Sequence, residues 1–110
     1  MKSIKPAVYD RWVKRLDKMC RHIIKSKRPV YTGKSADVVK NFRMAAQFKK
    51  STPGSELSTY LIKQTLSVVG LLTDPTLTDS ERDTRFADAR NYIDIGYVMW
   101  KEGVAHEKYD

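Results

Sequence analysis

Cysteine is almost absent from this sequence, and several residue patterns that characterise metal, catalytic or phosphate-binding sites are missing. The single cysteine, Cys20, excludes an intrachain disulfide and a cluster of thiolate metal ligands. The two histidines, His22 and His106, have no acidic residues at the spacings typical of metal or catalytic sites. Gly-rich phosphate loops of the P-loop or dinucleotide type are also missing.

Long hydrophobic runs are missing as well. The longest covers residues 67–72, whereas a helix that crosses a bilayer needs roughly 20 apolar residues. The first residues are not followed by the hydrophobic region of a secretory signal. We therefore expect a cytoplasmic protein without membrane contact.

What the chain has in abundance is positive charge, and that charge is uneven. Residues 1–50 contain 15 Lys or Arg against three Asp, a difference of +12, whereas residues 51–110 contain 6 basic and 10 acidic residues. A basic half attracts phosphate, whether on a nucleic acid, a nucleotide or an anionic surface. An acidic protein partner, or solubility alone, is the alternative explanation.

Apolar spacing predicts an all-α fold, a single-domain bundle of about four helices within residues 1–110. The predicted helices cover residues 6–27, 35–50, 55–73 and 79–102, and the tail 103–110 is expected to fray.

Local signals set these boundaries. Pro29 is expected to end the first helix. Ser35 and Ser55 are predicted to cap the second and third helices. Thr78 and Glu81 have the spacing of a capping box before the fourth.

Helices 3 and 4 supply most of the predicted core. Helix 3 is apolar over much of its surface, so we expect it to be central. The predicted inner face of helix 4 follows steps of three or four residues and consists of Phe86, Ala89, Ile93, Tyr97 and Trp100.

Asp94 is a carboxylate at the border of that apolar stripe. It is predicted either to pair with Arg90 or a lysine of another helix, or to hold a ligand or magnesium together with Lys63, the isolated cation of helix 3. Gly96 costs a helix roughly 1 kcal/mol relative to Ala. That cost indicates close packing against another helix, an aromatic ring or a ligand.

Four short motifs resemble those of a known family. In order they are Tyr31-Thr32-Gly33, Asn41-Phe42-Arg43-Met44-Ala45, Leu61-Ile62-Lys63-Gln64 and Arg90-Asn91-Tyr92-Ile93-Asp94-Ile95-Gly96-Tyr97. Over about residues 28–100 the chain resembles small phage-type all-helical nucleotide-modification-associated proteins, which are distantly similar to MazG-like nucleoside triphosphate pyrophosphohydrolases. The resemblance implies a nucleotide-related role in a phage-like setting, within the host cytoplasm. It also implies a ligand site formed by Tyr31, Asn41, Lys63, Asn91, Asp94 and Tyr97.

Three functions are consistent with these patterns. The leading one is non-catalytic binding of a nucleotide or another phosphate-bearing ligand. The second is binding of a nucleic acid or a host protein, as an inhibitory or counter-defence module, through the basic side of helix 1. That side consists of Arg11, Lys14, Arg15, Lys18, Arg21, Lys25, Lys27 and Arg28.

The third function is a divergent magnesium-dependent pyrophosphohydrolase. The paired acids that hold magnesium in MazG-like enzymes are missing from this sequence, so magnesium is a candidate ion without an assigned ligand set. A homo-oligomer is a further expectation, sealed by Trp12, Trp100 and Tyr92 if these rings are exposed.

Overall fold

A computed structural model of the chain describes residues 2–32, 37 and 39–109, and for residues 27–32 it describes the backbone. The described residues form four helices and no strand, which confirms the all-α fold. The helices are α1 (Pro6–Thr32), α2 (Lys40–Lys49), α3 (Pro53–Thr73) and α4 (Asp79–Lys101).

The helix boundaries differ from the predicted ones where a single residue was given too much weight. Pro29 lies inside α1, because a proline costs a helix one hydrogen bond and about 3 kcal/mol but does not forbid it. Ser55 does not cap α3. Instead Thr52 precedes Pro53, and its hydroxyl accepts a hydrogen bond from the Ser55 backbone N–H at 3.2 Å. The predicted cap Ser35 lies outside the described residues.

The capping box before α4 is confirmed. The Thr78 hydroxyl accepts from the Glu81 backbone N–H at 3.2 Å, and the Glu81 carboxylate accepts from the Thr78 backbone N–H at 2.9 Å. Two backbone N–H groups that the helix leaves unpaired are therefore satisfied at its start.

α3 and α4 together form the centre of the bundle: they pack against each other, α2 packs on α3, and α1 packs on α4. The core joins Val39, Phe42 of α2, Leu57 of α3, Ile95 and Met99 of α4, and Val104. A tyrosine pair extends it: the rings of Tyr60 and Tyr92 stack with their centroids 5.9 Å apart.

The predicted inner face of α4 is wrong for three of its residues. Ile93, Tyr97 and Trp100 are 55%, 63% and 67% exposed, and the buried positions of α4 include Asn91 and Met99 instead. The physical reason is close helix approach. Small residues let α1 and α3 come near α4, and a Cβ added at Gly96 would lie 3.1 Å from Leu57 Cδ2. The bulky stripe is left on the outside.

The C-terminal tail, predicted to fray, is docked as far as residue 109. Gly103 has φ +70°, and the Val104 N–H donates to the Met99 carbonyl at 2.9 Å, which is the turn that commonly ends a helix and folds the chain back. Val104 is consequently buried in the core. Farther on, the Ala105 carbonyl accepts from the Gly54 N–H at 2.9 Å.

Two ion-paired glutamates link α2 to neighbouring parts of the chain, Glu107 to the C-terminal tail and Glu56 to α3. Glu107 accepts from Arg43 Nε at 3.0 Å, and this bond, with a further one from the Tyr109 hydroxyl, lowers the pKa of Glu107. Glu56, whose side chain is 10% exposed, pairs with Lys49 Nζ at 2.8 Å. The hydrogen bond from Lys49, followed by that from a serine hydroxyl, lowers the pKa of Glu56.

Candidate functional site

A cleft of about 330 Å³ opens between α1 and α4. Its size is at the lower end of the range typical of small-molecule pockets, roughly 300–1,000 Å³. Apolar side chains form most of its surface, and three polar groups, from Arg21, Asn91 and Asp94, interrupt them. The full lining of described residues is Cys20, Arg21, Ile24, Val39, Asn91, Asp94, Ile95 and Val98.

Asn91 is the buried polar group of this cleft. It is 6% exposed, and its Nδ2 atom is buried without a hydrogen-bond partner in the described part of the chain. An unsatisfied buried donor costs about 1–3 kcal/mol. Such a group in a native fold therefore calls for an explanation, and a ligand that offers an acceptor is one.

Asp94 and Arg21 supply opposite charges at the exposed edge of the cleft. Arg90, which the sequence offered as a partner of Asp94, instead forms an ion pair with Asp17 of α1. Among the described residues the structure gives Asp94 no ion pair. Its carboxylate is therefore available to a ligand.

The predicted pairing of Lys63 with Asp94 is wrong. Gly96 of α4 faces Leu57 of α3, and Asp94 lies two residues earlier, about 160° around α4. Asp94 consequently faces the α1 side, whereas Lys63 is an exposed side chain of α3.

The other predicted ligand-site residues are dispersed. Asn41 lines a separate cavity of about 140 Å³ with Phe42, Ala45, Tyr60 and Tyr92. Tyr97 is 63% exposed on the opposite side of α4 from Asn91. The side chain of Tyr31 lies outside the described part of the chain. Of the six predicted residues, the structure brings Asn91 and Asp94 together in one cleft.

Two cleft residues were not predicted to be there. Arg21 was assigned to the basic side of helix 1, and Cys20 was interpreted as a small buried residue beside the apolar stripe of that helix. Cys20 is 4% exposed, its thiol donates to the Ala87 carbonyl at 3.7 Å, and burial raises its pKa. The thiol therefore stays neutral and packs α1 against α4. No signal in the sequence pairs α1 with a segment 70 residues later.

The basic side of α1 is a second candidate site. Its described side chains are all exposed: Arg11, Lys14, Arg15, Lys18, Arg21 and Lys25. Arg15 forms an exposed ion pair with Asp83 at 3.1 Å and lies over the Trp12 ring. The side chains of Lys27 and Arg28 lie outside the described residues.

Within residues 2–32, 37 and 39–109, no three His, Cys, Asp or Glu side chains converge as metal ligands would. None of the four described helices combines the length and apolar character that a membrane span requires.

Compared with protein-family models, curated proteins and solved structures, the chain matches none.

Proposed function

We propose that this protein binds a nucleotide-type ligand in the cleft between α1 and α4. The observation that carries the proposal is the buried Nδ2 of Asn91, which has no partner among the described residues and lies beside an apolar cavity of about 330 Å³. A ligand that fits must have a flat apolar part for the cavity and a hydrogen-bond acceptor for Asn91. It must also carry an anionic group for Arg21 at the edge.

A nucleotide meets all three requirements in one molecule. Its base offers acceptors and donors along one edge, which an Asn amide reads as a donor–acceptor pair. Asp94 would accept a hydrogen bond from an exocyclic amine or from a ribose hydroxyl. Arg21 would bind the phosphate, for which a guanidinium is well suited. The resemblance to nucleotide-modification-associated proteins favours the same ligand class.

Thermal shift and calorimetry with nucleosides, nucleoside monophosphates and triphosphates test the proposal. A ligand that binds the folded state alone raises the melting temperature. Asn91→Ala should weaken binding about five- to tenfold, the value of one lost neutral hydrogen bond of roughly 1 kcal/mol. Asn41→Ala, the same change in the separate 140 Å³ cavity, is the matched control and should bind normally.

Arg21→Gln provides a second, independent readout. It should weaken triphosphate binding while leaving nucleoside binding unchanged, because it removes the phosphate partner and nothing that the base contacts. The proposal is wrong if no nucleoside or nucleotide shifts the melting temperature. It is equally wrong if Asn91→Ala binds as tightly as the unmodified chain.

A second candidate function is binding of nucleic-acid phosphates along α1. The specific observation in its favour is that six cations of one helix, spread over residues 11–25, are all exposed. Each phosphate neutralised on duplex DNA contributes about 0.9 to the slope of log affinity against log salt. A helix with this pattern is therefore expected to bind DNA with a steep salt dependence and little sequence preference.

Two charge-reversal variants test this function by fluorescence anisotropy at several salt concentrations. Lys14→Glu with Lys18→Glu leaves the Arg15 ion pair intact and should reduce the salt slope by about two phosphate contacts. Lys63→Glu with Lys101→Glu changes the net charge equally at exposed lysines elsewhere. Equal losses in both variants would show that net charge, and not the α1 surface, governs binding.

A further inference from the structure

One side of the α3–α4 pair is an exposed apolar surface, on which the ring contact recorded among the described residues is that of His106 edge-on against Trp100, with the centroids 6.2 Å apart. On α3 the exposed residues are Ile62, Leu66, Val69 and Leu72, with exposures of 61%, 66%, 54% and 75%. On α4 they are Ile93, Tyr97 and Trp100. Together these seven residues are called the apolar face below.

The two groups form one continuous band. Contacts between Gly96 and Leu57, and between Tyr92 and Tyr60, show that α3 and α4 are antiparallel and which residues lie level. Ile93 of α4 therefore lies within about one helical turn of the level of Ile62 on α3, near the middle of the pair. From there the band follows α4 toward Trp100 and α3 toward Leu72, over about 30 Å at 1.5 Å per residue.

The apolar face lies on the side of the pair that α2 does not cover. Phe42 of α2 contacts the Tyr60 ring edge-on and shares a cavity with Tyr92. Successive residues of a helix turn by 100°. Around each helix, the residues at the α3–α4 contact therefore lie between the tyrosine on one side and the exposed apolar residues on the other. The α1–α4 cleft is on yet another side of α4, so this surface is separate from both candidate binding sites.

We infer that the apolar face is the interface of a homodimer, in which a second copy of this chain packs its own apolar face against it. The exposed area supports this occupant. The chain exposes 8512 Å², whereas a compact monomer of its mass exposes about 6,200 Å². The surplus of about 2,300 Å² belongs to the whole elongated molecule, and a dimer interface in which each copy buries roughly 1,000–2,500 Å² would remove an area of this order.

The charge distribution also favours a second copy. Two chains of net charge +8 repel one another, so they associate best through a nearly neutral surface. Between Glu56 and Asp74 the sole charged residue is Lys63, and Arg90 at the border of the face is neutralised by Asp17. A surface that is apolar and self-complementary suits the isologous contact of a two-fold dimer.

The exposed aromatic rings are consistent with this choice. Of the three rings expected to seal an oligomer, Trp100 lies on the apolar face. Tyr92 is stacked on Tyr60, and the Arg11 and Arg15 guanidinium groups lie over Trp12. Trp12 belongs to α1 and therefore lies outside the apolar face.

Sedimentation equilibrium over a range of protein concentrations tests the dimer. The unmodified chain should have about twice its 12.7 kDa mass at micromolar concentration. Leu66→Glu should raise the dimer dissociation constant about 100-fold or more, because it places a charge in an apolar contact. Phe48→Glu, at a 90% exposed apolar residue of α2, is the matched control and should remain dimeric.

Helix content by circular dichroism shows that each variant is folded, and Val69→Glu must dissociate the dimer as Leu66→Glu does. The inference is overturned if the unmodified chain is monomeric at every concentration. It is also overturned if Phe48→Glu dissociates the dimer while Leu66→Glu and Val69→Glu do not.

Discussion

Met99→Ala tests which side of α4 faces the core. Met99 is 1% exposed and belongs to the cluster with Leu57 and Val104, so its truncation removes buried apolar contacts and leaves a cavity. Buried Met→Ala changes cost about 2–5 kcal/mol, and we expect about 3 kcal/mol here. For a domain of this size that loss lowers the melting temperature by about 10 °C or more.

Urea unfolding followed by far-UV circular dichroism measures the change at a fixed protein concentration, because self-association also stabilises the fold. Met44→Ala is the matched control, since Met44 is 54% exposed on α2 and its truncation should alter stability by no more than about 0.5 kcal/mol. If Met99→Ala cost no more than Met44→Ala, Met99 would not be in the core. The inner face would then have to include Tyr97 and Trp100.

Three further predictions concern the helix ends and the docked tail. Gly54→Ala should destabilise the fold by about 1–3 kcal/mol in urea unfolding, because the new Cβ would lie 2.8 Å from the Ala105 carbonyl oxygen; no change would contradict the docked tail. Thr78→Ala should cost about 1 kcal/mol and Thr78→Ser much less, and equal losses would exclude the capping box as the cause. Stability should fall as the pH drops below about 4.3, the unfolded glutamate pKa, because hydrogen bonds from a lysine and an arginine lower the folded pKa values of Glu56 and Glu107. The charged carboxylates stabilise the fold at neutral pH, and protonation removes that contribution. Gln at both positions should therefore flatten this part of the pH profile measured by urea unfolding, and an unaltered profile would argue against the two ion pairs.

Local signals predicted the helices because the chemistry that makes them is local. The capping box at Thr78 depends on residues three positions apart, and the break after Asp74 depends on its own Pro75. Ser55 was predicted to cap α3, but Thr52, whose hydroxyl suits that position equally well, caps it instead. The choice depended on Pro53, which is favoured in the first turn of a helix.

The face of α4 could not be predicted from residue type, because the helix has two candidate inner stripes. One carries bulky apolar residues such as Tyr97 and Trp100, and the other carries residues such as Asn91 and Met99. A periodicity argument selects the bulkier stripe. The folded chain selects the side where other helices approach closely, and if the dimer forms, the bulky stripe becomes buried between two chains.

The α4 side of the candidate cleft could be predicted from the sequence, whereas the α1 side could not. Asn91 and Asp94 are three residues apart, so a helix places them near one another whatever surrounds it. Arg21 reaches the same cleft through the packing of α1 on α4, which no local pattern encodes. The pairing of Lys63 with Asp94 failed for the related reason that charge complementarity does not specify which helices are neighbours.

The dimer and the basic side of α1 together lead to a last prediction. α1 packs on the side of α4 that contains Asn91 and contributes no residue to the apolar face, so a dimer formed through that face leaves the basic side of both copies of α1 exposed. Two basic surfaces on one particle raise the affinity for a long duplex through effective concentration, without any new contact. Leu66→Glu should therefore weaken binding to a long duplex more than binding to a short one that spans a single α1. If long and short duplexes lost affinity equally, the added negative charge, and not the loss of the second α1, would be the cause.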